Sequence, residues 1–497
     1  MAHLTNVLMT MLLNRNNLQA ILQKTGKEQA LVLPSRVIQF GTGVLLRALP
    51  DYCIDQANKQ GVFIGGVQLI KSGPYGDILD FERQDCLYSL RVEGMLNGEK
   101  HQEDHIISCI SGVLDAAKDW DAVLALAADP RVNIVISNTT EAGIVEVADN
   151  IFAKPPQSFP GKLTAYLYQR YTSLQNTSNA AIIILPTELI DNNGAALHRI
   201  VISLAKKAGL EAGFFDWLAK EAYFCNTLVD RIVPGKLTPE HLGYKDSLMV
   251  SAEPYLLWAI ESDSDFVKRE LSFSTVVPGV FVQASIADFK EIKLRILNAS
   301  HTLMTGLALL AKHEFVKDSL AQASFESFLQ SLIQAEIKPC LHAKGIANRA
   351  IDEYAAKLID RFKNPFLAHQ WNAIAQNITL KIRNRVLPLI EGWYQLYNHP
   401  PKHIALGFAA YLYFMKGQAT MPAEDTIDRD HLLIMQEIWR DAPNPLAAIL
   451  SEDRLWGTDL SRFTGWLDLI AELMRALETN SIEKILISYR NDEGTKA

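Results

Sequence analysis

An apolar strand candidate that breaks on a glycine leaves this chain few folds to choose from. The segment reads Arg36-Val37-Ile38-Gln39-Phe40-Gly41-Thr42-Gly43-Val44-Leu45-Leu46-Arg47-Ala48: a strand, a turn and a helix start. Gly41 permits the tight turn, and Gly43 lets the backbone approach a pyrophosphate held on the helix N-terminus. The third glycine of the dinucleotide fingerprint is missing, and Leu46 stands in its place. Two glycines alone also fit a plain strand-to-helix turn. Position favours the dinucleotide, because the turn follows the first strand of a half-chain in which strands and helices alternate.

The strand candidates are 36–40, 62–70, 132–137 and 181–185, near-continuous apolar runs of the kind a parallel sheet covered on both faces requires. Helical spacing runs through 121–128 and 194–210. After about residue 285 the strand signals fade. Ile351, Tyr354, Ala355, Leu358, Ile359 and Phe362 form one apolar helical stripe, and similar stripes run through 293–311, 367–390 and 463–477. The expected architecture is an α/β Rossmann-type N-terminal domain with a mostly α-helical C-terminal domain. Residues 1–30 read as an N-terminal helical extension, 31–284 as the dinucleotide-binding domain and 285–497 as the helical substrate and catalytic domain. A chain of 497 residues has room for two large domains at the usual ~100–200 residues each.

Composition narrows the partners. Lys plus Arg is 48 against 56 for Asp plus Glu, and a net charge of −8 argues against nucleic acid. The longest apolar run, 404–415, is well short of the ~20 residues that span a bilayer, so it reads as a buried helix and no membrane partner is expected. No basic residue precedes the short apolar stretch 7–13 and no small-residue cleavage site follows it, which argues against a secretory signal. Cys53, Cys86, Cys109, Cys225 and Cys340 are scattered and contain no C-x-x-C pair. They read as free thiols in a reducing cytoplasm and give no support for a metal site.

The ribose-binding acid expected at the end of the second strand is absent: the segment is Val67-Gln68-Leu69-Ile70-Lys71-Ser72. Lys71 and Ser72 can tolerate a 2′-phosphate, so NAD is the preferred cofactor and NADP stays open. A solvated surface lysine is the plain alternative for Lys71.

Downstream, Lys293, Asn298 and His301 fall within one side of a helix, with Leu294, Ile296 and Leu297 packing around them. A desolvated lysine there is suited to proton transfer, an asparagine can donate to a developing alkoxide, and a histidine can donate to a substrate oxygen. A snorkelling lysine on an ordinary amphipathic helix has the same spacing. Asn377, Lys381 and Arg385 recur at i, i+4 and i+8, with His369 upstream. That polar stripe suits a carboxylate, although charges at such spacing also make solvated faces.

Gly41-x-Gly43 followed by Arg47-Ala48, then Asn226-x-x-x-Asp230-Arg231-Ile232-x-Pro234, then Lys293-x-x-x-x-Asn298-x-x-His301, resembles the polyol-specific long-chain dehydrogenase family, the mannitol dehydrogenase family, over most of the chain. Gln84-Asp85-x-Leu87-Tyr88 and Ser137-Asn138-Thr139-Thr140-Glu141-Ala142-Gly143 resemble the members that serve hexuronate catabolism by reducing tagaturonate to altronate. The resemblance implies a cytoplasmic, metal-independent oxidoreductase that uses NADH on a small sugar acid. In it Lys293 would be the general acid/base, Asn298 a donor to the reacting oxygen and His301 a substrate-positioning group, with Asp230 lining the site. Gly41, Gly43, Arg47, Asn138, Thr140 and Glu141 would meet the cofactor. Asn226, Glu188, His369, Lys381 and Arg385 would meet the substrate.

Two departures bear on substrate. Mannitol-type members carry Cys-Asp-Asn where this chain has Thr187-Glu188-Leu189, and Leu189 cannot donate a hydrogen bond. Their glutamate three positions before the lysine is Lys290 here, with Glu291 one step displaced. Both point from a neutral polyol towards a charged substrate. The alternatives are fructuronate/mannonate or mannitol/arabinitol chemistry on the same machinery, and a non-catalytic dinucleotide sensor.

Overall fold

In a computed structural model, residues 11–25, 33–73, 77–139, 143–175, 177, 179–236, 242–418 and 427–494 are described. The chain divides into two compact units, Met1–Glu93 with Lys100–Ile286 (unit 1) and Gly94–Glu99 with Ala287–Ala497 (unit 2). Part of the N-terminal extension, 1–10 and 26–30, lies outside the described residues; between them stands the helix Arg15–Thr25.

Thirteen strands are described: β1 Ser35–Phe40, β2 Gly66–Lys71, β3 Tyr88–Leu96, β4 Glu99–Ile107, β5 Ile110–Asp115, β6 Ile134–Ser137, β7 Ile182–Pro186, β8 Ala222–Phe224, β9 Thr227–Asp230, β10 Gly235–Lys236, β11 Val250–Ala252, β12 Leu257–Glu261 and β13 Val280–Gln283. Six of them form one sheet in the order β5-β2-β1-β6-β7-β8, every neighbouring pair parallel. Renumbered along the sheet's own strands this is 3-2-1-4-5-6, the doubly wound dinucleotide-binding order, whose direction reverses between β1 and β6. Residue alternation explains the apolar runs. Val37, Val67, Leu69, Ile134, Ile136, Ile183 and Leu185 enter the core on one face, while Ile38, Phe40, Ile70, Val135, Ile182 and Ile184 enter the core on the other. Both faces are dry, so both residue parities are mostly apolar, and the buried exceptions are few, such as Gln39, whose amide donates to Asp51.

Four of the sheet's six strands, β1, β2, β6 and β7, match the sequence reading to within a few residues; β5 and β8 were not foreseen. Two further sheets, β10-β11-β3-β4 and β13-β12-β9, were not foreseen; both lie in unit 1 apart from the tip of β3–β4, Gly94–Glu99, which counts with unit 2. The β3–β4 hairpin turns on Asn97 and Gly98, both at positive φ (56° and 82°), and an Asn-Gly pair is the strongest short-range hairpin signal there is.

Unit 2 is helical, and no strand is described after Gln283. The stripe ending at Phe362 becomes the helix Asn348–Phe362, and the apolar run 404–415 lies inside the helix Lys402–Gln418, buried from His403 to Leu412 and at Met415. That helix packs tightly on Ser300–Leu310. A Cβ on Gly306 would stand 2.6 Å from the Tyr411 nitrogen, and one on Gly407 would stand 2.8 Å from the Leu303 Cβ. Only glycine permits this approach.

The expected helix through 367–390 is instead broken. Short helices Trp371–Ala375 and Ile378–Lys381 are followed by a π-helical turn, Ile382–Val386, and then Leu387–Leu396. Asn377 sits before the second of these in the left-handed region (φ 53°) and belongs to no helical stripe. The stripe Asn377–Lys381–Arg385 is therefore corrected: the helix starts one residue later, and its π turn displaces the residues that follow.

Candidate active site

In unit 1 the glycine turn, β2 and β6 meet at the point where the strand order reverses. Gly41 adopts φ +132°, a conformation side chains rarely tolerate, and its N–H donates to the Ile70 carbonyl at 2.9 Å. A Cβ there would meet Leu46 Cδ1 at 2.8 Å and the Asn138 carbonyl at 3.3 Å. Leu46, in the place of the third fingerprint glycine, thus fills the space under the turn. Gly43 caps the helix Val44–Ala48 with no side-chain bond, and nothing lies within 4 Å of where its Cβ would be. An open backbone cradle at a helix start is what a pyrophosphate needs.

Other expected cofactor residues have different surroundings. Thr140 and Glu141 lie outside the described residues. Asn138 donates its amide to the Thr187 carbonyl at 3.1 Å. Arg47 is corrected as a cofactor contact: it is 2 % exposed, donates to the Leu248 carbonyl and lies over the Phe81 and Tyr88 rings. It is a core guanidinium, and burial lowers its basicity, a loss that Tyr88, Asp51 and Asp246 partly offset.

Glu188 is also spoken for. Its carboxylate accepts from the Thr139 N–H at 2.9 Å, the Thr139 hydroxyl at 3.1 Å and the Ser137 hydroxyl at 3.2 Å, bracing the turn after β6. Burial raises its pKa against those hydrogen bonds. The expectation that it meets substrate gives way to this bracing contact, and Leu189 beside it is exposed. Asn226 donates to Glu261 at 2.6 Å and accepts from the Ala195 N–H at 3.0 Å. Asp230 ends β9, buried, opposite Leu257. Arg231 beside it donates to the Glu253 and Ala48 carbonyls.

In unit 2, Lys293-Leu294-Arg295-Ile296-Leu297-Asn298-Ala299 is a π-helix that runs on into Ser300–Leu310. In a π-helix the i→i+5 ladder puts residue i+5 one turn above i, so Lys293 and Asn298 share a face more closely than α geometry allows. Both are half-buried. His301, one turn on, is buried, and its ring lies flat on Phe362 (centroids 4.0 Å apart, interplanar 6°) with His369 and Trp371 edge-on. Its Nε2 is buried and has no hydrogen-bond partner among the described residues.

Cations surround that ring. Burial, then His369, Arg361, Arg385 and Lys381, push the His301 pKa well below the usual value, which keeps the imidazole neutral. Burial together with Arg361 and Lys381 lowers His369 likewise. Burial and then Arg385 lower Lys381, with Asp428 opposing. Lys381 donates to the Ile374 carbonyl at 2.7 Å and Arg385 to the Thr302 hydroxyl at 3.3 Å, and among the described residues neither forms an ion pair. Concentrated positive charge around an unpartnered buried nitrogen suits an anionic ligand that also carries hydroxyls.

The mannitol dehydrogenase Rossmann domain matches residues 35–274, and the mannitol dehydrogenase C-terminal domain matches residues 285–479. The chain belongs to the mannitol dehydrogenase family. It is an oxidoreductase. Among similar curated proteins is the altronate oxidoreductase of Bacillus subtilis, 34% identical over 92% of this chain and 95% of its own length. Those of Halalkalibacterium halodurans (33%; 93% and 94%) and Yersinia enterocolitica (31%; 92% and 97%) are comparable. Of solved structures, the Pseudomonas fluorescens mannitol 2-dehydrogenase ternary complex with NAD and D-mannitol aligns at TM-score 0.65 over 97% of this chain and all of that one, at 22% identity. A substrate-free D-sorbitol dehydrogenase aligns at 0.71 over 91% and 94%, at 19% identity. These structures share the fold.

For this family member the sequence missed Arg361, Phe362, Thr302 and Trp371 around His301. Phe362 was visible as the close of the apolar stripe with Arg361 next to it in the chain, but the burial of Arg361 was not legible from the sequence. The displaced Glu291 is accounted for: it pairs with Arg295 at 3.3 Å and Lys344 at 2.7 Å.

Proposed function

We propose that this protein is an NAD-dependent reductase of a keto-hexonate, interconverting tagaturonate and altronate. The observation that carries the substrate class is the set of cations, Lys381, Arg385 and Arg361, gathered about His301 and His369, both of which are held towards the neutral form. A neutral polyol has no use for that charge, whereas a sugar carboxylate does. Curated relatives covering more than nine-tenths of the chain bear the name altronate oxidoreductase, which supports the same reading. The open backbone at Gly43 and the strand order around Gly41 fit a dinucleotide. When bound, its nicotinamide exchanges a hydride with the carbon of the substrate's carbonyl or carbinol.

The chain's own groups handle the proton and the orientation. In reduction the carbonyl oxygen gains negative charge as its carbon gains hydride, and the Lys293 ammonium gives that oxygen a proton from Nζ; oxidation runs the transfer backwards. The Asn298 amide donates to the same oxygen and stabilises its charge. His301 offers Nε2 to a substrate hydroxyl, held in place by Phe362. Arg385 and Lys381 take the carboxylate, which fixes the distance from the charged end to the reacting carbon. Gly41, Gly43 and Asn138 meet the cofactor. No metal takes part in these steps.

The test is NADH oxidation on tagaturonate, fructuronate and fructose. Tagaturonate is turned over fastest. Lys293→Ala abolishes turnover while NADH binding stays nearly unchanged. Arg385→Met raises KM for the keto-acid by about 10- to 100-fold, the worth of a charged hydrogen bond, and leaves fructose unaffected. Equal loss on acid and neutral ketose would reject the carboxylate assignment, and turnover in Lys293→Ala would reject the proton donor.

A further inference from the structure

The end of β2 stands where a dinucleotide-binding sheet normally presents a carboxylate to the adenosine ribose. This chain presents a lysine, and the lysine is not a solvated one: Lys71 is 9 % exposed. Its Nζ donates to Asp115 Oδ2 at 3.2 Å and to the Gly73 carbonyl at 3.2 Å. Asp115 ends the adjacent strand β5, and the two residues are register partners. The Lys71 carbonyl accepts from the Ala116 N–H at 3.0 Å, while the Ile70 carbonyl accepts from the Gly41 N–H at 2.9 Å. The glycine turn, the end of β2 and the end of β5 are therefore stitched together by backbone bonds, which puts this ion pair beside the turn that would carry the pyrophosphate. Asp115 also accepts from the Ala117 N–H at 3.1 Å. Burial alone would raise its pKa, but the Ala117 N–H and Lys71 outweigh it and hold the carboxyl below its usual range, so it is charged at neutral pH.

We propose that Lys71 and Asp115 form the cofactor-selecting pair of this enzyme, in which Asp115 cancels the lysine's charge so that the ribose 2′-hydroxyl is accepted and a 2′-phosphate is not. This rests on the reading of unit 1 as the dinucleotide site. Two of the three ammonium protons are taken, one by Asp115 and one by Gly73, which leaves one donor for a hydroxyl. A 2′-phosphate brings close to two negative charges against a pair of net charge zero, and the Asp115 carboxylate repels it as Lys71 attracts it. The carboxylate that other dinucleotide sites carry on the second strand is here supplied from the third, with a lysine between. The sequence alone hides this, because the two residues are brought together only by strand pairing.

The test is equilibrium binding to the full-length protein, followed by intrinsic fluorescence or calorimetry, with ADP and adenosine 2′,5′-bisphosphate as probes and NADH and NADPH beside them. Wild type prefers ADP and NADH. Asp115→Asn keeps an oxygen for the Ala117 N–H and removes the charge, and it shifts the preference towards the 2′-phosphorylated probes by about tenfold, the worth of one charge-assisted hydrogen bond. Adding Lys71→Met to that variant abolishes the shift, which shows that it runs through the lysine. Lys71→Met alone widens the discrimination against the 2′-phosphate, and this second variant leaves Asp115 in place should the first fold poorly. An unchanged ratio of affinities in Asp115→Asn or in Lys71→Met overturns the proposal. Failure of ADP and NADH to bind wild type at all overturns the dinucleotide reading instead, so the two failures are told apart.

Discussion

At the scale of single residues, the chemistry of unit 2 turns on a histidine that resists protonation. Burial and the flanking His369, Arg361, Arg385 and Lys381 all act in one direction on His301. In the unfolded chain its pKa returns towards the ordinary 6.5. Between the depressed folded value and 6.5 the unfolded state therefore binds more protons, and stability falls as pH falls through that window. Asp51 pulls the other way: burial raises its pKa to about 7 against hydrogen bonds from Gln39 and Tyr88, so its contribution grows on acidification from 7 towards 3.8. The informative quantity is a difference. His301→Phe preserves stacking on Phe362 and removes the titration, so urea unfolding at pH 7.5 and 5.5 (about two pH units spanning the window) should show a smaller acid-induced loss of stability in the variant than in wild type. Identical losses would mean that His301 titrates normally. An anionic substrate makes protonation of the same cluster easier, so keto-acid binding takes up protons and tightens as pH falls from 7.5.

At the scale of elements, two π-helical turns hold the proposed site together. Lys293–Ala299 and Ile382–Val386 are joined by Arg295, which is 5 % exposed. Its Nη1 donates to the Asn384 carbonyl at 3.0 Å and the Arg385 carbonyl at 2.8 Å, while Glu291 takes its other side. A π turn leaves carbonyls off the α ladder, and a buried carbonyl without a donor is costly. Arg295 supplies the donors, so it fixes the backbone from which Arg385 projects. Replacing it with Met leaves two buried carbonyls without their donor, while Glu291 keeps Lys344, which should destabilise the protein by about 2–4 kcal/mol. As a positioning residue it should also raise KM for the keto-acid while NADH binding holds. Chemical denaturation and the KM-against-kcat split check both; an unchanged KM would confine Arg295 to a structural role.

At the scale of the whole molecule, what was legible in the sequence followed from burial on both faces. Ile182-Ile183-Ile184 reads as a central strand because the run is short and β-branched, and the Ile351–Phe362 stripe reads as a surface helix with one dry side. The small sheets were less visible because β9, β10 and β11 are too short to show a period; Asn97-Gly98 was a hairpin signal that the sequence reading passed over. The π turns were invisible to any argument at 100° per residue, and so was the Lys71–Asp115 pair, a product of strand register. The cysteines were legible and give a further test. All five are free and buried. Burial raises Cys53, Cys225 and Cys340 to about 12 and Cys86 to about 11, and takes Cys109 well up as well. A thiol that is both covered and un-ionised does not react, so iodoacetamide at about pH 8 should label none of them in the native protein. Four thiols lie in unit 1 and Cys340 lies in unit 2, so mass spectrometry of labelled peptides along a urea titration reports the opening of each unit separately. Labelling of any cysteine before urea lowers the far-ultraviolet dichroism would show that its surroundings open locally, and Cys86, the most exposed at 7 %, is where that would be seen first.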